Sequence, residues 1–270
     1  MRIHLLFRLT WALLTLLLLH APAQAANNPT VVLRDIHAAQ LILQAAASSF
    51  HRYQGAEGDP RQLKVLNADL LVLKDALRAV FQDLTDMGMT AELTQLKGHW
   101  QEAARNLNTA LSAIGGKGFA EGQVVNDYLR NNYKAAVDLR NAYTAVVKLT
   151  GVPVNPAVQA LRDQTLQMQE LSTLYLEQSY ATYAYTYRTE LGDKETLDQK
   201  AMRFRRGLDQ LQVPATANLP ALLADARAKW QFLEKSFLQY NEKSVPYLVL
   251  KFGPVIISDL QQMTAVLDPA

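Results

Sequence analysis

Most of the chain places apolar side chains every three or four positions, which is the period of a helix that buries one face. The clearest run follows Asp59 and consists of Leu63, Leu66, Leu70, Leu73, Leu77, Val80 and Leu84. Comparable runs follow Thr90 and Asn218. No stretch keeps up a two-residue alternation of apolar and polar side chains, so the pattern predicts an all-α protein.

Glycine, proline and capping residues divide these runs. At one junction Gly58 is followed by Asp59 as N-cap, by Pro60 at the first helical position and by Gln62, which completes a predicted capping box. Similar junctions predict eight helices, at about residues 30–55, 60–86, 91–114, 119–150, 156–190, 194–212, 219–243 and 246–267.

The chain also repeats itself on a larger scale. Gly58-Asp59 matches Gly192-Asp193, and Trp100-Gln101 matches Trp230-Gln231 in the third helix of each half. Helices with a regular leucine pattern resemble one another in any case, but the shared junction and helix order favour a duplication. We expect two tandem antiparallel four-helix bundle modules joined by long helices, with the two tryptophans as equivalent core residues.

The first 25 residues have the order of a secretory signal peptide. Arg2 and Arg8 flank the charged start, Leu9–Leu19 is apolar, and Ala23-Gln24-Ala25 fits a cleavage site. The apolar run is shorter than the roughly 20 residues of a membrane span, although an uncleaved anchor is the alternative. We expect a periplasmic or secreted protein. The predicted domains are a cleaved signal peptide at 1–25, a first module at 26–116 completed by helix 119–150, and a second module at 155–270.

The composition of the chain and the motifs it lacks reduce the number of possible functions. The chain has 27 basic and 25 acidic residues, and removal of the predicted signal peptide leaves 25 of each. A neutral chain lacks the positive field that attracts nucleic acid, so we expect no such partner. The absence of cysteine excludes thiol chemistry and zinc–thiolate sites. Without a Glu-x-x-His, His-Glu-x-x-His or Gly-x-Ser-x-Gly motif, we expect neither an enzyme nor a cofactor.

Three histidines lie outside the predicted signal peptide: His37, His51 and His99. His37 and His51 share one predicted helix but stand about 20 Å apart by helical rise, so they cannot chelate one metal ion. We therefore expect surface or capping histidines and no metal site.

Two polar groupings of the second half are candidates for binding. Tyr180, Tyr183 and Tyr187 share one stripe of predicted helix 156–190, which fits either core packing or a polar-aromatic pocket. The next helix carries a basic cluster, which fits a solvated face or an anion site and consists of Lys200, Arg203, Arg205 and Arg206. The candidate ligand contacts are Gln164, Gln169, Tyr175, Tyr180 and Tyr183. The candidate anion contacts are Arg203 and Arg206.

Both halves together resemble, as a degenerate tandem, the periplasmic sensor module of type IV pilus chemotaxis transducers and nitrate/nitrite sensor kinases; the first half keeps only Asp59, the leucine pattern and Trp100, and the second half shows the resemblance better. The resemblance rests on Gln164, Leu166, Gln169, Leu171 and Tyr175-Leu176 in the first helix, followed by Leu197, Phe204, Leu208, Trp230 and Phe237. It implies a helical bundle that binds a small ligand and signals through a membrane-bound partner. Where the family's first helix is rich in arginine, this chain has Asp163, Thr165 and Glu170, so the resemblance does not imply a nitrate ligand.

Three functions remain open from the sequence. The first is a non-enzymatic exported binding or sensing accessory protein with a small-ligand site between bundle helices. The second is a structural or protein-interaction component of the bacterial cell envelope, which an exposed apolar stripe on helix 156–190 would favour. The third is an enzyme with an unfamiliar carboxylate or tyrosine site. The partners these functions allow are a small molecule, a membrane-bound receptor or envelope protein, and a second copy of the chain.

Overall fold

The computed structural model describes residues 28–181, 185–216, 218–240, 242 and 244–269. The predicted signal peptide and Tyr183 lie outside these residues. Nine helices and no strand occur in the described part, which confirms the predicted all-α fold class. They are α1 (Pro29–Gly55), α2 (Pro60–Asp86), α3 (Thr90–Lys117), α4 (Gly122–Thr150), α5 (Pro156–Tyr180), α6 (Tyr187–Glu190), α7 (Leu197–Gln210), α8 (Leu219–Leu238) and α9 (Pro246–Leu267).

Side-chain caps and prolines begin several of these helices. The side chains of Asn28, Asp59 and Asn155 each accept a backbone N–H at the start of α1, α2 and α5, and a proline follows each cap. The predicted capping box at Gln62 was wrong, because the Gln62 Oε1 has no partner among the described residues. The capping box instead begins α7, where Gln199 accepts from the Thr196 backbone N–H at 3.0 Å.

Helices α1 to α4 form the first antiparallel bundle, with α1 against α2 and α4, and α3 against α4. Its core has two parts. One part surrounds Ile36, Leu77 and Leu139, and the other surrounds Phe50 and Tyr128, whose rings meet edge to face at 4.9 Å. Trp100 packs against both parts but is only half-buried, so the prediction that it is equivalent to the buried Trp230 of the second module was wrong.

Helices α5, α7, α8 and α9 form the second bundle around one core. Trp230 is buried at its centre as predicted, 4.5 Å from the ring of Phe204 and 5.5 Å from that of Phe237. Close approach of α9 to α5 requires a residue without a side chain. A Cβ at Gly253 would lie 2.8 Å from the Ser172 Oγ.

The two modules lie side by side, and their main contact is between α1 and α5. Ser48 of α1 and Thr173 of α5 share a hydrogen bond of 2.8 Å, and Thr173 also donates to the Gln44 carbonyl at 3.1 Å. His51, further along α1, meets Glu177, further along α5. Because the paired residue numbers rise together, α1 and α5 run parallel.

The predicted helix 156–190 was wrong beyond Tyr180. α5 ends there, and the backbone turns away at Ala181 and resumes as the single turn α6. Tyrosine and threonine, which dominate this stretch, are only moderate helix formers. Leaving the helix also lets Tyr187 reach the core of the first module, where it is buried beside Tyr133. Tyr180 and Tyr187 therefore do not share a stripe. We call residues 185–193 the strap, because they connect the two modules.

Candidate functional site

An open cleft of about 420 Å³ lies between the modules, on the side of α4 and α7. Helices α1, α4, α5 and α7 all contribute to its walls. Its lining residues are His37, Gln40, Gln44, Ala136, Arg140, Tyr143, Thr144, Gln159, Arg162, Asp163, Leu166, Gln167, Glu170 and Arg203. We call this space the intermodule cleft.

A smaller cavity of about 60 Å³, which we call the inner cavity, shares part of its wall with the cleft. Gln44, Ala136, Arg140 and Glu170 border both spaces. The other residues around the inner cavity are Ala47, Leu129, Asn132, Tyr133, Thr173, Glu177, Tyr187 and Arg188. Its volume and polar lining suit a water molecule or a small polar group.

Four of the residues that border these two spaces each have one buried polar atom without a hydrogen-bond partner among the described residues. These atoms are Gln44 Oε1, Asn132 Oδ1, Gln167 Oε1 and Arg203 Nε. An unsatisfied buried polar group costs about 1–3 kcal/mol, so folded proteins normally pair such groups with protein, water or ligand. The four atoms come from four helices, two in each module.

Arg162 anchors the α5 wall of the cleft. It is buried and donates to the Asp268 carboxylate at 2.8 Å and to the Tyr143 hydroxyl at 3.3 Å. Tyr143 in turn donates to Gln159 at 2.7 Å. Burial, together with the nearby positive charge of Arg162, lowers the pKa of His37 to about 3. His37 is therefore a neutral imidazole at physiological pH.

A cluster of ion pairs forms the far end of the cleft. The Glu170 carboxylate lies 3.1 Å from Lys200 Nζ, 3.3 Å from Arg188 Nη1 and 3.7 Å from Arg203 Nη2. Arg140 differs from these cations, because its exposed guanidinium makes no ion pair with an acidic side chain in the described part of the chain. Among the described residues that line the cleft, Arg140 is thus the cation without an ion pair.

Behind the inner cavity lies a buried polar group that links the strap to α1 and α5. The Tyr187 hydroxyl donates to Glu177 at 2.8 Å and accepts from Arg188 at 3.0 Å. The His51 Nε2 lies 3.9 Å from the same Glu177 carboxylate. The expectation of surface or capping histidines was therefore wrong for His51, which is completely buried.

Burial is the main influence on proton affinity in this group. It lowers the pKa of His51 to about 3, assisted by the charge of Arg188. It also raises the pKa of Glu177, against the opposing charge of Arg188 and the hydrogen bond from Tyr187. Both shifts favour the neutral form, as expected where water is excluded.

Two of the ligand candidates from the sequence lie inside the second module. Gln164 is buried against α7, where a Cβ at Gly207 would overlap its amide. Tyr175 is fully buried, and its hydroxyl accepts from the Val245 backbone N–H at 2.6 Å. Both side chains contribute to packing within the bundle and are not part of the cleft.

Two further candidates lie along the contact between the modules. Gln169 donates to Ser48 at 3.3 Å and borders a separate cavity of about 130 Å³, on the α2 and α9 side of the α1–α5 contact. The Tyr180 ring lies directly over Gly55, where any Cβ would collide with it. Neither side chain borders the intermodule cleft.

The two candidate anion contacts have different surroundings. Arg203 borders the cleft, and its guanidinium pairs with Glu195 at 2.5 Å. Arg206 is exposed and lies outside the cleft lining. Among the sequence candidates that the structure describes, Arg203 is therefore the one that borders the intermodule cleft.

Four residues that line the cleft or the inner cavity were not identified from the sequence: Gln44, Asn132, Arg140 and Arg162. Asn132 could have been noticed, because it interrupts the apolar seam of α4 between Leu129 and Ala135 and is buried there. A polar residue at a seam position often has a specific role. Arg140 carried no comparable signal, since it looks like any exposed residue of an amphipathic helix.

Comparisons of the chain with protein-family models, with curated proteins and with solved structures found no match. Within the described ranges, none of the helices is long and apolar enough to cross a membrane. The described residues also contain no group of three or more histidine and acidic side chains that could hold a metal ion. The fold and the cleft therefore define the molecule as a two-module helical bundle with a polar cleft between its modules.

Proposed function

We propose that this chain is a non-enzymatic, exported binding or sensing accessory protein, and that its small ligand lies in the intermodule cleft. The observation that carries the proposal is that Gln44, Asn132, Gln167 and Arg203, each with an unpartnered buried polar atom, line either the intermodule cleft or the adjoining inner cavity. A concave site with a few convergent polar groups is the usual form of a small-molecule site.

The ionisable groups of the cleft favour binding over catalysis. An enzyme would need at least two convergent ionisable groups that are free to exchange protons. Here Arg162 is paired with Asp268, and Glu170 is surrounded by three cations. His37 is held neutral by burial and by Arg162. The ion pairs of Arg162 and Glu170 oppose proton transfer by these two groups, and the lowered pKa of His37 makes it a weak base.

The position of the cleft also supports a sensing role. A ligand there touches both modules, so it stabilises the arrangement of α1, α4, α5 and α7 to which it binds best. A membrane-bound receptor or envelope protein could read that arrangement. The resemblance to periplasmic sensor modules supports the same function, and the predicted signal peptide supports a periplasmic or secreted location.

A thermal-shift screen of the purified protein against small polar molecules tests this proposal. A ligand at 100 times its Kd should add about 2.7 kcal/mol of stability. We expect a hit whose stabilisation is lost in Gln44→Leu, which removes one cleft acceptor. Gln101→Leu, at an exposed position of α3, should keep it. The proposal would be contradicted by a screen without hits, or by ligands that stabilise Gln44→Leu as much as they stabilise the unchanged chain.

One surface favours the alternative, a structural or protein-interaction component of the envelope. Phe232 and Tyr247 are 58% and 69% exposed on α8 and α9, and Phe252 lies 5.1 Å from Phe232. An exposed apolar stripe on helix 156–190 would also favour this alternative, but the leucine, valine and methionine side chains of α5 are buried or half-buried. A Phe232→Ser/Tyr247→Ser protein should lose envelope proteins that co-purify with the unchanged chain. Equal recovery from both would count against this alternative.

A further inference from the structure

The outward side of α8 and α9 carries apolar side chains that are open to water. Phe232 and Tyr247 are mostly exposed, and Val255 is exposed about two turns after Tyr247 on α9. The half-buried ring of Phe252 bridges the two helices, because it meets the ring of Phe232 edge to face at 5.1 Å. Exposed apolar side chains that lie together mark an interaction surface, whereas single ones are common on any protein. We call this surface the aromatic face.

Two lysines give the aromatic face a positive charge. The Lys251 Nζ lies 5.3 Å from the ring centre of Phe252 and 6.0 Å from that of Tyr247. The exposed Lys235 follows Phe232 by three positions, so the two side chains are neighbours on α8. Neither lysine makes an ion pair with a described residue. Both ammonium groups are therefore available to an anionic partner.

The surroundings of these lysines contain little negative charge. Of the exposed residues in the described ranges 228–238 and 247–258, two are lysines and none is acidic. Glu234 lies within these ranges, but it is half-buried and pairs with an arginine of α7. Just outside them, Asp225 pairs with a lysine of its own helix, and the exposed Glu242 lies in the loop between α8 and α9. The aromatic face is thus complementary to an anionic surface.

The combination of rings and lysines distinguishes a lipid surface from a protein partner. Protein–protein interfaces favour aromatic side chains, but they are depleted in lysine relative to the rest of the surface. At a membrane surface the two kinds of residue occur together. Aromatic rings lie at the level of the lipid headgroups, and the flexible lysine side chains reach towards the lipid phosphates. Lys251, which lies over two rings, matches the second pattern.

We propose that the aromatic face docks on the surface of an anionic phospholipid membrane. The rings of Phe232, Tyr247 and Phe252 enter the headgroup region, while Lys235 and Lys251 contact lipid phosphates. This surface is separate from the intermodule cleft, whose walls belong to α1, α4, α5 and α7. The inference therefore goes beyond the proposed binding function and does not depend on it.

Co-sedimentation with lipid vesicles tests this inference. The protein used is the chain from Ala26 onward, which contains every described helix and omits the apolar run of residues 9–19 that would itself bind lipid. The vesicles consist of phosphatidylcholine alone or of phosphatidylcholine mixed with phosphatidylglycerol. A lysine near an anionic surface contributes about fivefold in affinity, so the mixed vesicles should bind at least tenfold more tightly. Added salt should reduce this preference, because it screens the lipid charge.

Two double variants separate the charges from the rings. Lys235→Gln/Lys251→Gln should weaken binding to the mixed vesicles at least tenfold and change binding to phosphatidylcholine little. Phe232→Ser/Tyr247→Ser should weaken binding to both kinds of vesicle, because burial of the rings does not depend on lipid charge. Leu71→Ser, at an exposed position of α2, should bind as the unchanged chain does.

A charge control completes the design. Lys64→Gln/Lys74→Gln removes two exposed lysines of α2 and should keep the preference for mixed vesicles, although the net charge of the chain falls equally. A loss as large as that of the lysine pair on α9 and α8 would overturn the assignment to the aromatic face.

The remaining outcomes are equally decisive. If neither kind of vesicle binds the chain, or if both double variants of the aromatic face bind as well as the unchanged chain, the proposal is overturned. If vesicles fail but an envelope protein is lost from Phe232→Ser/Tyr247→Ser, the face is a protein interface and the lipid assignment is wrong. None of these results affects the cleft ligand, which the Gln44→Leu variant tests.

Discussion

The two modules differ most in how their first two helices are joined. In the first module, α1 and α2 are separated by four residues, Ala56–Asp59. In the second, α5 and α7 are separated by residues 181–196, which include the strap. The longer connection places Tyr187 in the core of the first module, while Arg188 pairs with Glu170 of the second. A longer connection within one module can thus fasten the two modules together.

The largest expected difference between the modules concerns their tryptophans. Trp230→Ala should cost roughly 3–5 kcal/mol, because it removes a buried ring that packs on Phe204 and Phe237. Trp100→Ala should cost about half as much, since Trp100 is only half-buried. Urea unfolding of the two variants measures the difference. Equal losses would show that the two cores are equivalent after all.

A pair of glycines sharpens the same comparison. A Cβ at Gly207 of the second module would overlap the Gln164 amide, so Gly207→Ala should cost roughly 1–3 kcal/mol. Gly98 of the first module is exposed in α3 with nothing near its Cβ position, so Gly98→Ala should stabilise by about 0.5–1 kcal/mol. Opposite shifts of Tm are expected, and two shifts of the same sign would argue against this difference in packing.

Acid should weaken the first module in particular, because His37 and His51, whose pKa values are lowered by burial, both lie there. The pKa of His51 falls from about 6.5 in the unfolded chain to about 3 in the fold, chiefly through burial. The unfolded state therefore binds more protons below pH 6.5, and stability is lost as the pH falls from there towards 3. His51 alone should account for about 2 kcal/mol between pH 7 and pH 5.

Urea titrations at those two pH values, on the unchanged chain and on His51→Gln, isolate this contribution. The variant should lose about 2 kcal/mol less stability than the unchanged chain over the same interval. Glu177 is present in both proteins, so its own titration is shared. An identical pH dependence in both proteins would mean that His51 is not buried as a neutral group.

The smallest expected effect concerns the strap. Tyr187→Phe keeps the ring but removes the hydroxyl that donates to Glu177 and accepts from Arg188, at a cost of about 1 kcal/mol. The cost should shrink when Glu177→Gln is already present, because the two side chains interact directly. A cost that does not change with the residue at 177 would show that the hydroxyl does not couple the modules.

The sequence predicted the helices well where local signals agree. Asn28, Asp59 and Asn155 cap helices that begin within a residue or two of the predicted positions, and the leucine period of α2 matches its buried face. These features depend only on neighbouring residues, so they can be found from a single amino-acid sequence.

The features that sequence reasoning missed depend on distant contacts. The helix predicted over residues 156–190 ends at Tyr180. Tyr187 lies beyond this end, where it contacts Tyr133 of the first module and Glu177 of the second. Trp100 and Trp230 occupy matching positions in the repeat, but the packing of neighbouring helices decides how deeply each is buried. The residues with unpartnered atoms around the cleft and the inner cavity lie on four different helices. No spacing within one helix could therefore have predicted this site.

The parallel contact of α1 and α5 has a consequence for symmetry. Asn155 follows Asn28 by 127 positions, and the partners Ser48 and Thr173 are 125 positions apart, so the two modules meet nearly level. A dimer of identical modules that met in this way would have two equal openings, one on each side of the contact. Two modules of different sequence within one chain are not held to that symmetry. Here the α4 and α7 side has opened into a space of about 420 Å³, whereas the α2 and α9 side keeps about 130 Å³.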